Sequence, residues 1–194
     1  GSAALDKITW PQDFARMEYQ LAPPRLPRVG TGFDAHRFAD GDKVTLCGIE
    51  IAHVARLAGH SDADVGWHAL ADAIYGALSA GDIGHHFPPS DPQWKGMASS
   101  VFLKHAGDMV RASGGVINHV DVTLICEAPR IGPHRDAMIE ATANVLGLRL
   151  DQVSIKATTT EAMGFTGRRE GIAAQASATL LLPDSFRQAA KVVP

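Results

Sequence analysis

The segment covering residues 64–80 constrains the fold more than any other part of the sequence. It predicts a helix, because Ser61 stands three residues before Asp64 as in a capping box and Gly81 occupies the place expected of a C-terminal glycine. Most of its side chains are apolar, namely Val65, Trp67, Ala69, Leu70, Ala71, Ala73, Ile74 and Tyr75. A helix that is apolar around most of its surface has to be covered by other elements. We therefore expect this helix to be buried on most sides.

Strand and helix patterns alternate along the rest of the chain. Val120, Val122, Leu124 and Cys126 alternate with more polar positions, the period-two pattern of a strand with one face in a core. Further strands are predicted over 28–36, 153–158 and 171–182, with a hairpin or short strands around Gly48 over 44–51. Helices are predicted from residue 99 or 100 to 112 and from 133 to about 146. The sequence thus predicts mixed α and β structure without repeats.

The 194 residues favour one compact domain with an appendage. Pro23, Pro24 and Pro27 follow a helical pattern over 11–21 and are expected to form a stiff, extended linker. Gly1 and Ser2 resemble the remnant of a cleaved tag. We divide the chain into a tag remnant, helical appendage and Pro-rich linker over 1–27, a main domain over 28–183 and a C-terminal tail over 184–194.

Composition argues against several classes of partner. Lys and Arg number 18 against 21 Asp and Glu, a formal net charge of −3, so no global positive field attracts nucleic acid. The two cysteines, Cys47 and Cys126, lie in apolar, strand-like sequence and are interpreted as reduced thiols of a cytoplasmic protein. No apolar run approaches the roughly 18 residues of a membrane span. We expect neither nucleic acid nor a membrane as a partner.

Polar residues of two segments have the side chains and spacing of a metal site. Asp34 and His36 stand at i and i+2 of a predicted strand, so both point to one side. Asp64, His68 and Asp72 follow one face of the otherwise apolar helix. One aspartate and two histidines would supply three zinc ligands and leave the fourth position for a ligand oxygen. The alternative is structural, with a turn-bonding Asp34, a partly buried His36 and a solvated helix face.

Two further segments point to phosphate. The start of the helix, close to His60 and Ser61, offers unpaired N–H groups and a positive dipole to an anion. The TTTE run at 158–161 and the glycines after it could present hydroxyl and N–H groups to phosphoryl oxygens, and Glu161 could bind Mg²⁺ or Mn²⁺. Alternatively, the threonines favour a strand and the glycines a turn, without any ligand.

These motifs, in this order, resemble those of the 2-C-methyl-D-erythritol 2,4-cyclodiphosphate synthases of the non-mevalonate isoprenoid pathway. The resemblance rests on RVGTGFDAHRF at 28–38, HSDADVGWHAL at 60–70 and TTTEAMGFTGRREG at 158–171, and it extends from residue 28 to 182. KITWPQDF at 7–14 is similar to the C-terminal tail of the cytidylyltransferase that acts two steps earlier. Fused forms of the two enzymes exist, so the chain is interpreted as the cyclase half of a bifunctional enzyme. An unrelated helix is the alternative for this short stretch.

The resemblance implies a fold and a reaction. The implied fold is α+β, a single domain with a four-stranded, mainly mixed sheet covered by helices on one face, assembled as a homotrimer with active sites between neighbouring subunits. The implied enzyme is a lyase in which the 2-phosphate of 4-diphosphocytidyl-2-C-methyl-D-erythritol 2-phosphate attacks the β-phosphorus and CMP is released. Positioning and charge neutralisation supply the catalysis, so no protein nucleophile is required.

The resemblance also implies two metal sites. Asp34, His36 and His68 would bind one Zn²⁺ per chain. Glu161 would hold a Mg²⁺ or Mn²⁺ that bridges the α and β phosphates of the substrate.

His60 and Thr159 would act as catalytic residues that stabilise the pentacoordinate phosphorus. Many family members have an aspartate at the position of Pro89, so its contact to the erythritol is expected to pass to Ser90 or Asp91. Asp82 and Gly84 are implied to bind ribose, the loop at 126–132 to bind cytosine largely through its backbone, and Ser61 to contact the erythritol part. The full set implied to contact the substrate is Ser61, Asp82, Ile83, Gly84, Phe87, Ser90, Asp91, Cys126, Ala128, Pro129, Arg130, Ile131, Gly132, Thr158, Thr160, Phe165 and Arg168.

Two other classes of function use some of the same features. A zinc-dependent phosphoesterase would use the Asp-His-His set to activate water. A non-catalytic trimeric module would bind isoprenoid diphosphates in a central cavity through Arg168 and apolar residues. The module leaves the zinc and cytidine features unexplained, and release of phosphate from simple esters would identify the phosphoesterase.

Overall fold

A five-stranded sheet organises the domain in the computed structural model, which describes residues 10, 24–59, 61–88, 90–94 and 96–184. The strands are β1 (Arg25–Ala39), β2 (Lys43–Leu46), β3 (Ile49–Ala52), β4 (Arg56–Leu57), β5 (Val116–Ile125), β6 (Val153–Thr158) and β7 (Gly171–Pro183). The sheet order is β4-β1-β7-β5-β6, in which β5 and β6 are parallel and the other neighbours antiparallel. Strands β2 and β3 form a separate hairpin.

The helices lie between the strands in sequence, as predicted. They are α1 (Val65–Leu78), α2 (Ile83–His86), α3 (Ser99–Ala112), α4 (Arg135–Leu146) and α5 (Gly164–Gly167). Helix α1 packs on β1, β7 and β5, α3 contacts β5, and α4 contacts β6. The helix predicted over 11–21 and the tail beyond residue 184 lie outside the described residues.

The prediction of four strands is wrong. A fifth strand, β4, pairs its two residues with Phe38 and Ala39 at the end of β1. Two residues are too few to show a period-two pattern, so the sequence carries no signal for this strand. Strand β1 also begins at Arg25 rather than at residue 28. Pro27 lies on an edge of β1 that β4 does not reach, a position at which proline is tolerated in a sheet.

Helix α1 is buried as expected, but its ends differ from the prediction. Asp64, not Ser61, is the N-cap, and its carboxylate accepts a hydrogen bond from the Trp67 N–H at 3.1 Å. At the other end, Ser79 takes the left-handed conformation (φ 57°) that ends the helix before Gly81 is reached. The polar side chain nearest the first turn therefore caps it, and the chain turns as soon as the apolar run ends.

Two glycines of β1 allow α1 to lie directly on the strand. A Cβ at Gly30 would stand 2.0 Å from the Ala73 carbonyl oxygen, and one at Gly32 would stand 2.0 Å from the Ala69 carbonyl oxygen. Real Cβ atoms do not approach so closely, so only glycine permits this contact between backbones. The close approach fixes the height of the first turn of α1 above β1.

Candidate metal centre

The face of β1 that carries the two glycines also carries the predicted ligands. Side chains alternate along a strand, so Gly30, Gly32, Asp34 and His36 all point toward α1. The glycines lie beneath the body of the helix, and Asp34 and His36 continue the same face toward its first turn. His68 projects from that turn. The pairing of β1 with α1 thus brings together three residues that are widely separated in sequence.

The three side chains form a compact cluster. Asp34 Oδ2 lies 3.1 Å from His68 Nδ1 and 3.6 Å from His36 Nδ1. The two imidazole rings meet edge to face with their centroids 5.1 Å apart. One ligand atom from each residue lies within 4.8 Å of the other two. Among the residues that the structure describes, no other group of His, Cys, Asp or Glu is close enough to hold one metal ion.

The charges of the cluster favour an ionised carboxylate. Burial raises the pKa of Asp34, but the hydrogen bond with His68 and the charges of His36 and His68 outweigh it, so the pKa lies below its ordinary value of 3.8. The carboxylate therefore offers a negatively charged oxygen to a cation near neutral pH.

The donor atoms fit a zinc ion. In the described part of the chain, His36 Nε2 is the one buried side-chain nitrogen or oxygen without a hydrogen-bonding partner. Leaving such an atom unpaired costs about 1–3 kcal/mol, so a ligand is the natural explanation for it. One carboxylate oxygen and two imidazole nitrogens match the three-ligand sets that bind Zn²⁺ with an open fourth position.

The other two residues of the predicted polar stripe have structural roles. Asp64 is fully buried and accepts hydrogen bonds from the N–H groups of Cys47 (2.8 Å), Gly48 (2.6 Å) and Trp67 (3.1 Å), so it joins the β2–β3 turn to the start of α1. Burial raises its pKa to about 6. Asp72 accepts a hydrogen bond from the Ile83 N–H at 2.8 Å, and burial raises its pKa too. Of the stripe, only His68 joins the cluster.

Glu161, the predicted ligand of the second metal, lies apart from the cluster within one chain. Ala35, Ala173, Ile125 and Thr158 pair in succession across β1, β7, β5 and β6, so the end of β6 is level with the metal centre. Adjacent strands are about 4.8 Å apart, so three spacings separate β6 from β1 by roughly 14 Å. Thr159 donates a hydrogen bond to Glu161 at 2.7 Å, so these two predicted residues do lie together.

Glu127 is a structural partner of this loop that the sequence did not reveal. Its Oε1 accepts hydrogen bonds from the N–H groups of Thr160 (3.0 Å) and Ala162 (3.3 Å). The loop needs support, because Glu161 (φ 52°) and Ala162 (φ 63°) both have left-handed backbone, which costs non-glycine residues about 1–2 kcal/mol each. An acidic residue between strand and loop carries no motif, so only the fold identifies this role.

The predicted contacts to ribose and erythritol lie in three short segments of the chain. Ser61 Oγ lies 3.2 Å from His68 Nε2, beside the metal centre. Asp82, followed by Ile83 and Gly84, caps α2 and accepts a hydrogen bond from the His85 N–H at 2.8 Å. Phe87 is buried, and Asp91, next to Ser90, accepts a hydrogen bond from the Gln93 N–H at 3.1 Å. His60 and Pro89 lie outside the described residues.

The predicted cytosine loop leads from β5 toward α4. It contains a cis peptide bond between Ala128 and Pro129, and the thiol of Cys126 is buried at its start. Cys47 is also buried and free, which confirms the prediction of two core thiols.

Arg168 follows α5 and forms an ion pair with Glu170 at 2.7 Å. No described helix is both long and apolar enough to cross a membrane.

Comparison with known proteins agrees with the geometry. A model of the YgbB family matches residues 27–181 of the chain. The chain belongs to the YgbB family. This result confirms the resemblance to 2-C-methyl-D-erythritol 2,4-cyclodiphosphate synthases, and neither the phosphoesterase nor the non-catalytic module gains support from it.

Relatives of this YgbB-family chain include both fused and separate proteins. The bifunctional enzyme IspD/IspF of Hyphomonas neptunium is 61% identical over 181 residues, which cover 93% of this chain and 48% of that protein. A 2C-methyl-D-erythritol-2,4-cyclodiphosphate synthase of known structure has a TM-score of 0.73 and 36% identity, over 79% of this chain and 99% of that one. The CDP complex of IspF from Plasmodium falciparum has a TM-score of 0.72 and 30% identity, over 81% of this chain and 97% of that one.

The chain spans about half the length of the curated relatives that it matches. The family match, from residue 27 to 181, includes all three residues of the metal centre.

Proposed function

We propose that this chain converts 4-diphosphocytidyl-2-C-methyl-D-erythritol 2-phosphate into 2-C-methyl-D-erythritol 2,4-cyclodiphosphate and CMP. The observation that carries the proposal is the Asp34-His36-His68 cluster at the first turn of α1, in a chain that matches the YgbB family over residues 27–181. The CDP complex of the Plasmodium falciparum relative supports a cytidine diphosphate group as part of the ligand.

The reaction is an intramolecular phosphoryl transfer. An oxygen of the 2-phosphate forms a bond to the β-phosphorus, and the bond from that phosphorus to the oxygen bridging it to the α-phosphate breaks. The electron pair leaves with CMP, so neither water nor a protein nucleophile enters the product. The protein contributes by holding the two phosphates in line and by neutralising their charge.

The residues divide this work between two places. Asp34, His36 and His68 would hold a Zn²⁺, which supplies Lewis-acid stabilisation of phosphoryl oxygens when bound. Glu161 would hold a Mg²⁺ or Mn²⁺ with the substrate, and its neighbour Thr159 would direct a hydroxyl to the reacting phosphorus together with His60. The 2.7 Å hydrogen bond between Thr159 and Glu161 supports their acting as one unit.

The active unit is proposed to be a homotrimer with sites shared between neighbouring subunits. Within one chain the end of β6, where the loop of Thr159 and Glu161 begins, lies three strand spacings or about 14 Å from β1, and Glu161 is not part of the ligand cluster of its own chain. A neighbouring subunit that places its own loop against this metal centre closes the gap. The proposal also includes the division of the chain into residues 1–27, 28–183 and 184–194. It includes fusion to a cytidylyltransferase and a cytoplasmic location, which the two free thiols support.

The test is to incubate the protein with the substrate, Zn²⁺ and Mg²⁺ and to follow CMP by chromatography and the cyclic diphosphate by ³¹P NMR. The control substrate is 4-diphosphocytidyl-2-C-methyl-D-erythritol, which lacks the attacking 2-phosphate. We expect equal amounts of CMP and cyclic product from the first and neither from the second. CMP release from the control, or phosphate release from p-nitrophenyl phosphate at a comparable rate, would show hydrolysis and overturn the proposal.

A further inference from the structure

The second nitrogen of the His68 ring has a partner that lies outside the metal centre. His68 Nδ1 faces Asp34, whereas Nε2 lies 2.9 Å from Oγ of Ser99, the first residue of α3. Ser99 is fully buried. Ser61 Oγ makes a longer contact of 3.2 Å to the same nitrogen.

The hydroxyl hydrogen of Ser99 is committed elsewhere. Ser99 Oγ donates a short hydrogen bond to Asp62 Oδ1, and the Ser99 N–H lies 3.1 Å from each of the two carboxylate oxygens. An ionised carboxylate can only accept hydrogen bonds. With its one hydrogen given to Asp62, Ser99 Oγ can only accept from His68, so the hydrogen of that contact belongs to Nε2.

This arrangement determines which nitrogen of His68 is available to a metal. A neutral imidazole carries one hydrogen, and placing it on Nε2 leaves a lone pair on Nδ1. That lone pair points toward the Asp34 carboxylate oxygen 3.1 Å away, so a metal ion can take the place of the hydrogen that joins these two atoms in their hydrogen bond.

Asp62 also has a structural role at the start of α3. Helix α3 begins after Ala98, which has no side chain that can cap it. The Asp62 carboxylate, from the loop before α1, takes that place by accepting the Ser99 N–H. One carboxylate thus ties the start of α3 to the ring of His68.

We propose that Ser99 and Asp62 are positioning residues that fix the tautomer and orientation of His68 and thereby raise the affinity of the centre for a divalent cation. The inference rests on the proposed metal centre of Asp34, His36 and His68. Partners of this kind, which hydrogen-bond the far nitrogen of a ligating histidine, typically contribute 10- to 100-fold to metal affinity.

The test measures the Kd of the full chain for Zn²⁺ by competition with a chromophoric chelator, independently of turnover. Ser99→Ala is expected to bind Zn²⁺ about 10- to 100-fold more weakly, and Ser99→Thr, which keeps the hydroxyl, is expected to recover most of the loss. Ser100→Ala is the matched control, because Ser100 is the next residue of α3 and takes no part in these hydrogen bonds. Its Kd should equal that of the wild type.

Asp62→Ala tests the relay without touching the buried position. The alanine lacks the oxygens that accept from Ser99, so the Ser99 hydroxyl is free to donate toward His68 Nε2; this favours the opposite tautomer, and Zn²⁺ binding should weaken about tenfold. Wild-type affinity in folded Asp62→Ala and in folded Ser99→Ala would overturn the inference. A folded Ser99→Thr as weak as Ser99→Ala would overturn it as well. His68→Ala separates the two proposals, since wild-type Zn²⁺ binding in that variant contradicts the metal centre itself.

Discussion

Asp34 and Asp64 both lie in the motif segments, but their surroundings shift their pKa values in opposite directions. Burial raises the pKa of both side chains. Asp34 has two histidines beside it, which bring its pKa below 3.8, whereas Asp64 has only backbone N–H partners and a pKa of about 6. Asp34 therefore stays ionised and can bind a cation, whereas Asp64 links the β2–β3 turn to the start of α1.

Substituting Asp64 tests this assignment through stability. Because its pKa in the folded protein is about 6 and its ordinary value is 3.8, the folded state holds the proton more tightly, and this contribution to stability is lost as the pH rises between those values. Asp64→Asn removes the titration. From pH 4 to pH 7, the unfolding free energy of the wild type should therefore fall by on the order of 1–3 kcal/mol relative to that of Asp64→Asn, as measured by urea unfolding. A difference that is constant with pH would contradict the raised pKa.

Glu161 should matter for turnover and not for folding. Its side chain is exposed and accepts a hydrogen bond from Thr159, which a glutamine carbonyl can also accept. Glu161→Gln removes only the charge, so we expect a loss of kcat on the order of 100-fold with an unchanged Tm.

The exposed Glu140 of α4 offers the matched control, since Glu140→Gln removes the same charge and Glu140 is not a predicted site residue. The two variants are compared in the CMP-release assay at saturating Mg²⁺. Near-normal turnover of Glu161→Gln under that condition would refute its metal role.

At the scale of elements, local patterns were sufficient for the strands and helices with strong periodicity. The alternation over 120–126 predicted the buried face of β5, and the apolar segment over 64–80 predicted the burial of α1. The ends and the shortest element were not predictable in this way. Asp64 and Ser79 end α1 through backbone conformations that propensity does not specify, and β4 exists only because β1 extends beyond His36.

The candidate site was predictable for a different reason. The i and i+2 spacing of Asp34 and His36 fixes their common side, and this is a local property. That His68 meets them depends on the contact between Gly32 and Ala69, which no local pattern reveals. Glu127 and Ser99 act through hydrogen bonds to distant residues, so their roles require the fold.

Gly32→Ala tests whether the close approach of α1 to β1 builds the centre. The new Cβ would stand 2.0 Å from the Ala69 carbonyl oxygen, so the helix must move and carry His68, one residue away, with it. We expect a loss of about 1–3 kcal/mol in unfolding free energy, together with weaker Zn²⁺ binding.

Gly76→Ala is the control on the helix itself. A Cβ there would meet its nearest neighbour at 3.8 Å, an ordinary contact, and alanine favours a helix by about 1 kcal/mol over glycine. Urea unfolding and chelator competition should therefore show an equal or more stable protein with wild-type Zn²⁺ affinity. Equal stability of wild type and Gly32→Ala would show that the contact is not required.

At the scale of the whole molecule, the sheet has one covered and one open face. The helices pack on the side of Gly32 and Leu124, whereas the opposite side of β1 exposes Val29 (67%) and Phe33 (61%). Large apolar side chains that remain exposed on a sheet face are typical of a surface covered by another subunit. The open face and the separation of Glu161 from the metal centre therefore support the same proposal, an assembly that completes the site.

Mixing two inactive variants decides whether the site is shared. His68→Ala lacks a functional metal centre but keeps its loop at 158–162, and Glu161→Gln has the reverse defect. In a trimer with shared sites, a wild-type centre of one chain meets a wild-type loop of the other at about a quarter of the interfaces after random assembly of equal amounts. Co-refolded mixtures should thus regain about a quarter of wild-type CMP release, while each variant refolded alone should show no more than about 1% of it. Mixtures that remain inactive, although mass spectrometry shows both variants in one assembly, would place the complete site within a single chain.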